Sequence, residues 1–138
     1  TLGVIDFQDA VYGPITYDLV SLLRDCYVRW PADSMRSRAL AYKVLTCNHI
    51  SDQQFLTWFD LMGLQRHIKV MGIFSRLALR DGKQGYLHDL PLVIRYSLEV
   101  AKDYPQSRAF YDWFLQRVEP QLSNQPWYRD WHTAGDNL

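Results

Sequence analysis

The feature that most constrains the fold is a long apolar repeat that starts after Ser51 and continues to about Leu79. Ser51 and Gln54 have the spacing of a capping box, in which these two side chains satisfy free N–H groups at a helix start. The apolar positions that follow return to one face of a helix. They are Phe55, Phe59, Met62, Val70, Ile73 and Leu77, and Arg66 interrupts them. Such a long apolar face predicts the central helix of a helical domain.

Two glycines lie inside this helix, at Gly63 and Gly72. A glycine in a helix interior costs about 1 kcal/mol relative to alanine. We therefore expect a close helix contact at each position, or a kink at Gly63.

Shorter helices are predicted on both sides. The first runs from Tyr17 to Trp30 and ends at Pro31, because a residue before proline is disfavoured in helical geometry. The second is capped by Asp33 or Ser34 and runs to about Thr46. After a turn over residues 80–85, a third flanking helix is capped by Asp89 and runs to about Lys102. The last helix begins at Pro105 and closes or kinks at Pro120.

The apolar spacing also predicts which faces are buried. The second helix is expected to bury Met35, Ala39, Tyr42 and Leu45 and to expose Arg36, Arg38 and Lys43. The next-to-last helix would bury Leu90, Ile94, Leu98 and Ala101, and the last would bury Phe110, Phe114 or Leu115, and Val118. The tail carries Trp127, Tyr128 and Trp131, and we expect part of it to dock on the helices because large aromatic side chains are seldom left in water. Residues 133–138 are expected to fray.

The chain opens with a short apolar strand, Leu2–Ile5, that ends in Asp6. A carboxylate at a strand end can present an oxygen ligand to Mg²⁺ beside a phosphate. The same pattern also occurs where an aspartate simply caps a turn. Gln8 and Asp9 follow, and they either orient Asp6 or brace the loop. The strand starts at once after Thr1, without a Met, so we expect a fragment whose partner strands lie upstream.

The opening segment resembles the metal-binding segment of the aminoglycoside phosphotransferase/choline kinase superfamily. The residues that carry the resemblance are Ile5-Asp-Phe-Gln-Asp-Ala10 and Gly13-Pro-Ile-Thr-Tyr-Asp-Leu-Val-Ser-Leu-Leu-Arg-Asp25. The later run Trp58–Leu77 resembles a narrower branch, the bacterial kinases that phosphorylate N-acetylmuramate and N-acetylglucosamine at the anomeric hydroxyl. The resemblance covers residues 3 to about 117.

The resemblance implies a fold that is mainly α: the helical carboxyl-terminal part of a protein-kinase-like (α+β) large lobe, with a short amino-terminal β-strand. We predict a single domain over residues 1–138. Residues 1–13 would form the metal-binding strand and loop, residues 14–122 the helical subdomain and residues 123–138 the aromatic tail.

The resemblance also assigns roles to acidic residues. It implies that Asp6 is a Mg²⁺ ligand and that Asp18 is a structural group that anchors the catalytic loop, although a carboxylate in a first helical turn is also favoured by the helix dipole alone. The family's His-Gly-Asp…Asn catalytic loop, its glycine-rich phosphate loop and its strand lysine are absent from the sequence. No catalytic residue is therefore predicted in this chain, and we expect it to be inactive alone, with ATP and Mg²⁺ used by the full-length protein.

Substrate contacts are predicted in two places. In this superfamily the helical subdomain supplies acceptor specificity. A polar stripe on the long helix (Gln65, Lys69, Arg76), flanked by Arg66 and His67, therefore either lines a sugar pocket or is a solvated face. Arg24 and Trp30, at the end of the first helix, are further candidates. No dense acidic cluster is present, which favours a neutral or anionic sugar over an aminoglycoside.

Composition excludes several other classes. The formal net charge is zero, so a nucleic-acid partner is disfavoured. No apolar run is long enough to span a bilayer. Cys26 and Cys47 lack metal-site spacing and are expected to be free thiols in a cytoplasmic protein. The partner would be a small sugar or metabolite, and an unpaired strand edge would permit a homodimer.

Two classes of function remain open. The first is part of an ATP-dependent sugar kinase of cell-wall recycling, or of an aminoglycoside, choline or other metabolite kinase on the same scaffold. The second is a non-catalytic helical interaction module. An apolar opening strand without a pairing partner favours the first class.

Overall fold

The computed structural model describes residues 11–136, and every regular element in that range is a helix. The α-helices are α1 (Tyr17–Leu23), α2 (Ala32–Thr46), α3 (Asp52–Asp81), α4 (Leu90–Ala101), α5 (Arg108–Trp113) and α6 (Glu119–Leu122). Short 3₁₀ segments span Gln84–Asp89, Pro105–Ser107 and Trp131–Thr133, and a π-helical turn spans Phe114–Val118. The mainly α fold is confirmed; the predicted strand over Leu2–Ile5 lies outside the described residues.

Helix α3 is the centre of the fold, as its sequence predicts. It packs against α4, α1 and α2 along its length. The Ser51 hydroxyl accepts a hydrogen bond from the Gln54 backbone N–H at 3.2 Å, which confirms the cap. The helix ends where Gly82 adopts a left-handed conformation with φ of 67°, which costs glycine little because it has no Cβ.

The two glycines of α3 differ in their surroundings. A Cβ on Gly63 would lie 3.0 Å from Arg24 Nη1, so the predicted close contact is confirmed there, with α1 as the neighbour. Nothing lies within 4 Å of the corresponding position on Gly72, and the prediction of a close contact at that glycine is wrong.

Helix α1 is shorter than predicted, because it ends at Leu23 and not at Trp30. The Arg24 carbonyl, which would accept an N–H in a continuing helix, is instead bonded to His67 Nε2 at 3.0 Å. The Asp25 carboxylate accepts a hydrogen bond from the Tyr27 backbone N–H at 2.7 Å, which closes a local turn. Residues 24–31 therefore form an irregular segment, the α1–α2 segment.

Helix α2 has its predicted length but a rotated buried face. Neither Asp33 nor Ser34 caps it, since the cap position is Pro31. Ala39 is buried as expected, whereas Leu45 is 86% exposed and Lys43 only 6% exposed, so both predictions are wrong. Lys43 is buried because its ammonium group reaches Asp52 Oδ1 at 2.9 Å while its stem packs on the helix pair.

Helix α4 and the carboxyl-terminal helices close the core. Leu90, Ile94, Leu98 and Ala101 are all buried, as predicted. The last helix runs through Pro120 without breaking. Proline has no N–H and crowds the carbonyl of the residue four positions earlier, and the π-turn directly before α6 widens the backbone at that place.

The tail docks on this core. Trp131 is buried, and its Nε1–H donates to Glu119 Oε1 at 2.8 Å; Trp127 and Tyr128 pack beside it. Arg95 Nη1 donates to the Ala134 carbonyl at 2.8 Å and to Asp136 Oδ1 at 2.6 Å. The prediction that the chain frays from Thr133 is therefore wrong as far as Asp136.

Candidate functional site

The predicted metal-binding residues Asp6, Gln8 and Asp9 lie outside the described residues. Asp18 is exposed in the first turn of α1, and within residues 11–136 its carboxylate forms no ion pair. Across the same range, no three His, Cys, Asp or Glu side chains are grouped as a metal site would require. The Mg²⁺ assignment therefore remains a prediction from the sequence.

Arg24 lies in the interior and not in an open site. Its Nη2 donates to Asp60 Oδ1 at 2.6 Å, and its Nε–H points at Met35 Sδ at 3.2 Å. The guanidinium lies over the Phe59 ring, 4.8 Å from its centre. Tyr104 Oη donates to the second Asp60 oxygen at 2.7 Å. These contacts hold Arg24 inside the fold, while its buried Nη1 has no hydrogen-bond partner among the described residues. Its role as a substrate contact stays a prediction.

Gln65, Lys69 and Arg76 are exposed on α3, and their role as substrate contacts stays a prediction. Gln65 and Lys69 border only a shallow hollow with apolar neighbours on the same helix. Arg66 is half-buried, with its guanidinium 4.4 Å from the centre of the Tyr17 ring.

A deeper cavity opens between the α1–α2 segment, the start of α4 and the tail; we call it the tail cavity. Its volume is about 460 Å³. The side chains that carry chemistry in its wall are Cys26, Tyr27, His88, Asp89, Arg129 and Asp130. Pockets of about 300–1,000 Å³ with a few polar groups are typical of small-molecule sites.

The charges of the tail cavity are of both signs. Burial raises the pKa of the Asp89 carboxyl, and Asp89 has no hydrogen-bond partner among the described side chains. Hydrogen bonds from the backbone and ring of His132 hold the pKa of Asp130 below its usual value. Arg129 forms no ion pair with another described residue. The wall thus offers carboxylate acceptors, a guanidinium donor and the Tyr27 ring together.

The backbone of the tail forms one wall of the tail cavity. Gly135 has φ of 86°, and a Cβ there would lie 2.8 Å from Arg29 Cβ. Only glycine permits this approach of the tail to the α1–α2 segment. On the other side of Gly135, Arg29 and Trp30 line a smaller hollow, where Trp30 is 44% exposed.

The sequence predicts Arg24 and Trp30 as substrate contacts, and neither of them lines the tail cavity, so that assignment stays a prediction. Cys26, Tyr27, Asp89 and Arg129 were missed as site residues, because Cys26 and Tyr27 fit an apolar helix face and Asp89 fits a helix cap. No spacing in the sequence brings residues 26, 89 and 129 together, since only tertiary packing does.

The described helices include none that is long and apolar enough to cross a membrane.

Burial raises the pKa of Cys26, and burial is also the main cause that raises the pKa of Tyr27 to about 12. Both groups are therefore neutral hydrogen-bonding groups at neutral pH.

Comparison with known proteins adds independent information. Residues 1–46 match the phosphotransferase enzyme family. A protein named N-acetylmuramate/N-acetylglucosamine kinase from Neisseria meningitidis serogroup B is 41% identical over 122 residues, which are 84% of this chain and 36% of that protein. Proteins of the same name from Pseudomonas aeruginosa and Pseudomonas putida are 48% and 42% identical, over 72% and 75% of this chain and 30% and 32% of their own lengths. No solved structure matches the chain significantly.

The resemblance to phosphotransferases that the sequence predicts is confirmed by these matches. The chain spans about a third of the length of these relatives.

Proposed function

We propose, on the premise that this chain is a relative of phosphotransferases, that it is part of an ATP-dependent kinase for amino sugars. The complete protein would transfer the γ-phosphoryl group of ATP to the anomeric hydroxyl of N-acetylmuramate or N-acetylglucosamine. The observation that carries the proposal is the similarity, at 41% identity over 84% of the chain, to a protein named for those two sugars. Similarity of this extent supports a shared reaction and a related acceptor.

The opening segment would supply the metal ligand. Asp6 follows an apolar run in a segment that matches the phosphotransferase family, and Gln8 and Asp9, two and three residues later in the sequence, would orient it. Mg²⁺, when bound, neutralises charge on the nucleotide phosphates. Asp18, in the first turn of α1, would be the structural group that anchors the catalytic loop of the complete protein.

The helical part would supply the acceptor site, and the tail cavity is the best candidate for it. A sugar presents hydroxyl groups that donate to carboxylates and an apolar ring face that packs on an aromatic side chain. Asp89, Asp130 and Tyr27 offer both kinds of contact in the cavity wall. Arg129 offers a donor for the carboxylate that distinguishes N-acetylmuramate from N-acetylglucosamine.

The distribution of charge supports an amino sugar with one carboxylate or none over a polycationic aminoglycoside. The tail cavity holds carboxylates and a guanidinium together, so its wall is not uniformly acidic. A polycation would gain less from such a wall than from a uniformly acidic one, because the repulsion of Arg129 offsets part of the attraction of Asp89 and Asp130.

The proposal is tested by Asp6→Asn in the complete polypeptide that contains this chain. Phosphorylation of N-acetylmuramate by ATP should fall by about two orders of magnitude or more, because a metal ligand acts on the transition state. The melting temperature should stay nearly unchanged. Asp33→Asn, which replaces an exposed carboxylate on α2, is the matched control and should retain full activity.

A near-normal rate for Asp6→Asn would remove Asp6 as a metal ligand. The isolated chain should phosphorylate neither sugar, because no catalytic base is predicted in it. If the complete polypeptide acts on neither sugar, the proposed acceptor class is wrong.

A further inference from the structure

Side chains from α3 and α4 bind two backbone carbonyls of the α1–α2 segment. His67, on α3, bonds through Nε2 to the Arg24 carbonyl at 3.0 Å. Tyr96, on α4, donates its hydroxyl to the Val28 carbonyl at 3.1 Å. Both hydrogen bonds are partly buried, and the loss of such a bond costs about 1 kcal/mol, so these bonds hold both ends of residues 25–27.

The two anchors support each other. The rings of His67 and Tyr96 stack with centres 4.9 Å apart and planes 11° from parallel. Their exposures are 2% and 5%, so neither ring has space to move. Arg29 lies over the Tyr96 ring, with its guanidinium carbon 5.3 Å from the ring centre. Glu99 accepts two hydrogen bonds from Arg29, at 2.9 and 3.0 Å.

The residues between the anchors are the ones that reach the tail cavity. Cys26 and Tyr27 line its wall, and the turn at Asp25 sets their direction. Neither anchor lines the cavity itself. The anchors can therefore act on a bound molecule only through the segment that they hold.

We propose that His67 and Tyr96 are positioning residues for the acceptor: together they hold the Arg24 and Val28 carbonyls so that Tyr27 and Cys26 form the wall of the tail cavity in its binding geometry. This inference rests on the proposed function, which places an amino sugar in that cavity. It adds a role for two buried residues that the sugar does not touch.

The protonation of His67 suits this role. A carbonyl only accepts, so Nε2 carries the hydrogen, and the buried Nδ1 has no partner among the described residues. Burial, with the nearby charges of Arg24 and Arg66 acting in the same direction, lowers the pKa of His67 to about 4, although the bond to the Arg24 carbonyl and the charge of Asp25 oppose it. His67 therefore remains a neutral donor at neutral pH.

The first test follows the segment without reference to activity. In the 138-residue chain carrying Cys47→Ser, Cys26 is the single thiol, and its rate of reaction with a soluble disulfide reagent reports how firmly residues 25–27 are held. Tyr96→Phe keeps the ring stack and removes one hydrogen bond, so Cys26 should react about fivefold faster. Tyr111→Phe, whose hydroxyl bonds to no described residue, is the matched control and should leave the rate unchanged. Equal rates of Cys26 reaction in the two variants would overturn the proposal that the Tyr96 bond holds the α1–α2 segment.

The second test uses the complete polypeptide and steady-state kinetics. Tyr96→Phe should raise KM for N-acetylmuramate about fivefold and change kcat and KM for ATP by less than about twofold, because a positioning defect acts on acceptor binding. His67→Gln keeps a side-chain N–H donor and should lie closer to the wild type than His67→Leu. A merely structural role would alter both substrates' KM values, or neither.

The outcomes separate the inference from the proposed function. Faster Cys26 reaction with an unchanged sugar KM would mean that the acceptor binds elsewhere, and the inference would be overturned. A wild-type polypeptide that phosphorylates neither sugar would overturn the proposed function. The rates of Cys26 reaction would still decide whether His67 and Tyr96 hold the α1–α2 segment.

Discussion

At the scale of single residues, the most informative groups are polar side chains buried among the helices. The sequence predicts Arg24 as a substrate contact, but Arg24 pairs with Asp60 on α3, 36 residues away, and no local spacing relates the two. Lys43 and His67 are likewise buried polar groups whose partners, the Asp52 carboxylate and the Arg24 carbonyl, lie in other parts of the fold. Periodicity predicts which residues are apolar and inward, and it has no means of predicting such polar pairs.

The Arg24–Asp60 pair provides a test at this scale. Asp60→Asn should lower the free energy of unfolding by about 3 kcal/mol, because removing one partner leaves a buried charge uncompensated. Asp60 also accepts from Tyr104, and burial together with this bond raises the pKa of Tyr104 to about 12. Urea unfolding followed by circular dichroism measures the change.

The matched control is Asp112→Asn, which breaks the exposed pair between Arg108 and Asp112. Exposed pairs contribute about 0.2–1 kcal/mol, so this change should be small. Equal losses in the two variants would contradict the role given to Asp60.

His67 predicts a pH dependence of stability. Its pKa is lowered from 6.5 to about 4 in the folded chain, chiefly by burial. Between these values the unfolded chain binds a proton that the folded chain excludes, so the free energy of unfolding falls as pH falls through this window, by up to about 3 kcal/mol. Above pH 6.5 this contribution is fully present.

Comparison with His67→Gln isolates this contribution, because glutamine does not titrate. The difference in unfolding free energy between wild type and variant should shrink as the pH is lowered from about 6.5 to about 4, and should be constant above that window. Two parallel stability curves across the window would show that His67 does not titrate in this way.

At the scale of elements, end signals in the sequence performed well where a side chain caps a helix and poorly where tertiary contacts end it. The start of α3 at Ser51 and the extent of α4 are as predicted, but the Asp89 side chain forms no cap bond at the start of α4, so that predicted cap is wrong. Helix α1 ends early because His67 takes the carbonyl at which the next turn would bond. The helical backbone continues past Pro120 and ends two residues later at Leu122, and a π-turn lies directly before α6, where the proline leaves a carbonyl without its usual N–H.

The caps can be compared directly. Ser51→Ala should lower the free energy of unfolding by about 1 kcal/mol, since it removes the acceptor for the Gln54 N–H. Ser34→Ala should change it by less than about 0.5 kcal/mol, because Ser34 lies inside α2 and does not cap it. Thermal unfolding of the two variants provides the measurement, and a larger loss for Ser34→Ala would place the cap of α2 where the sequence alone suggested it.

At the scale of the whole molecule, α3 joins two hydrophobic clusters. Its first half packs with α1 and α2, and its second half packs with α4, the carboxyl-terminal helices and the tail. The mainly α architecture and the docking of the aromatic tail were predictable, because they follow from helix periodicity and aromatic content. The tail cavity was not, because it forms where three distant segments meet around Gly135.

The tail should belong to the cooperative core. Trp131→Ala should lower the free energy of unfolding by about 3–5 kcal/mol, because it empties a buried site and leaves Glu119 without its donor. Trp113 is 53% exposed, so Trp113→Ala should cost clearly less. Denaturant unfolding measures both changes, and a loss for Trp131→Ala no larger than for Trp113→Ala would show that the tail is not part of the core.

The most direct test of the account replaces the matching region of the Neisseria meningitidis kinase with this chain, which aligns with it over 122 residues. We predict that the chimera phosphorylates N-acetylmuramate with ATP, and that Arg129→Gln in it raises KM for N-acetylmuramate while leaving KM for N-acetylglucosamine nearly unchanged. A folded chimera that binds ATP but phosphorylates neither sugar would contradict the account.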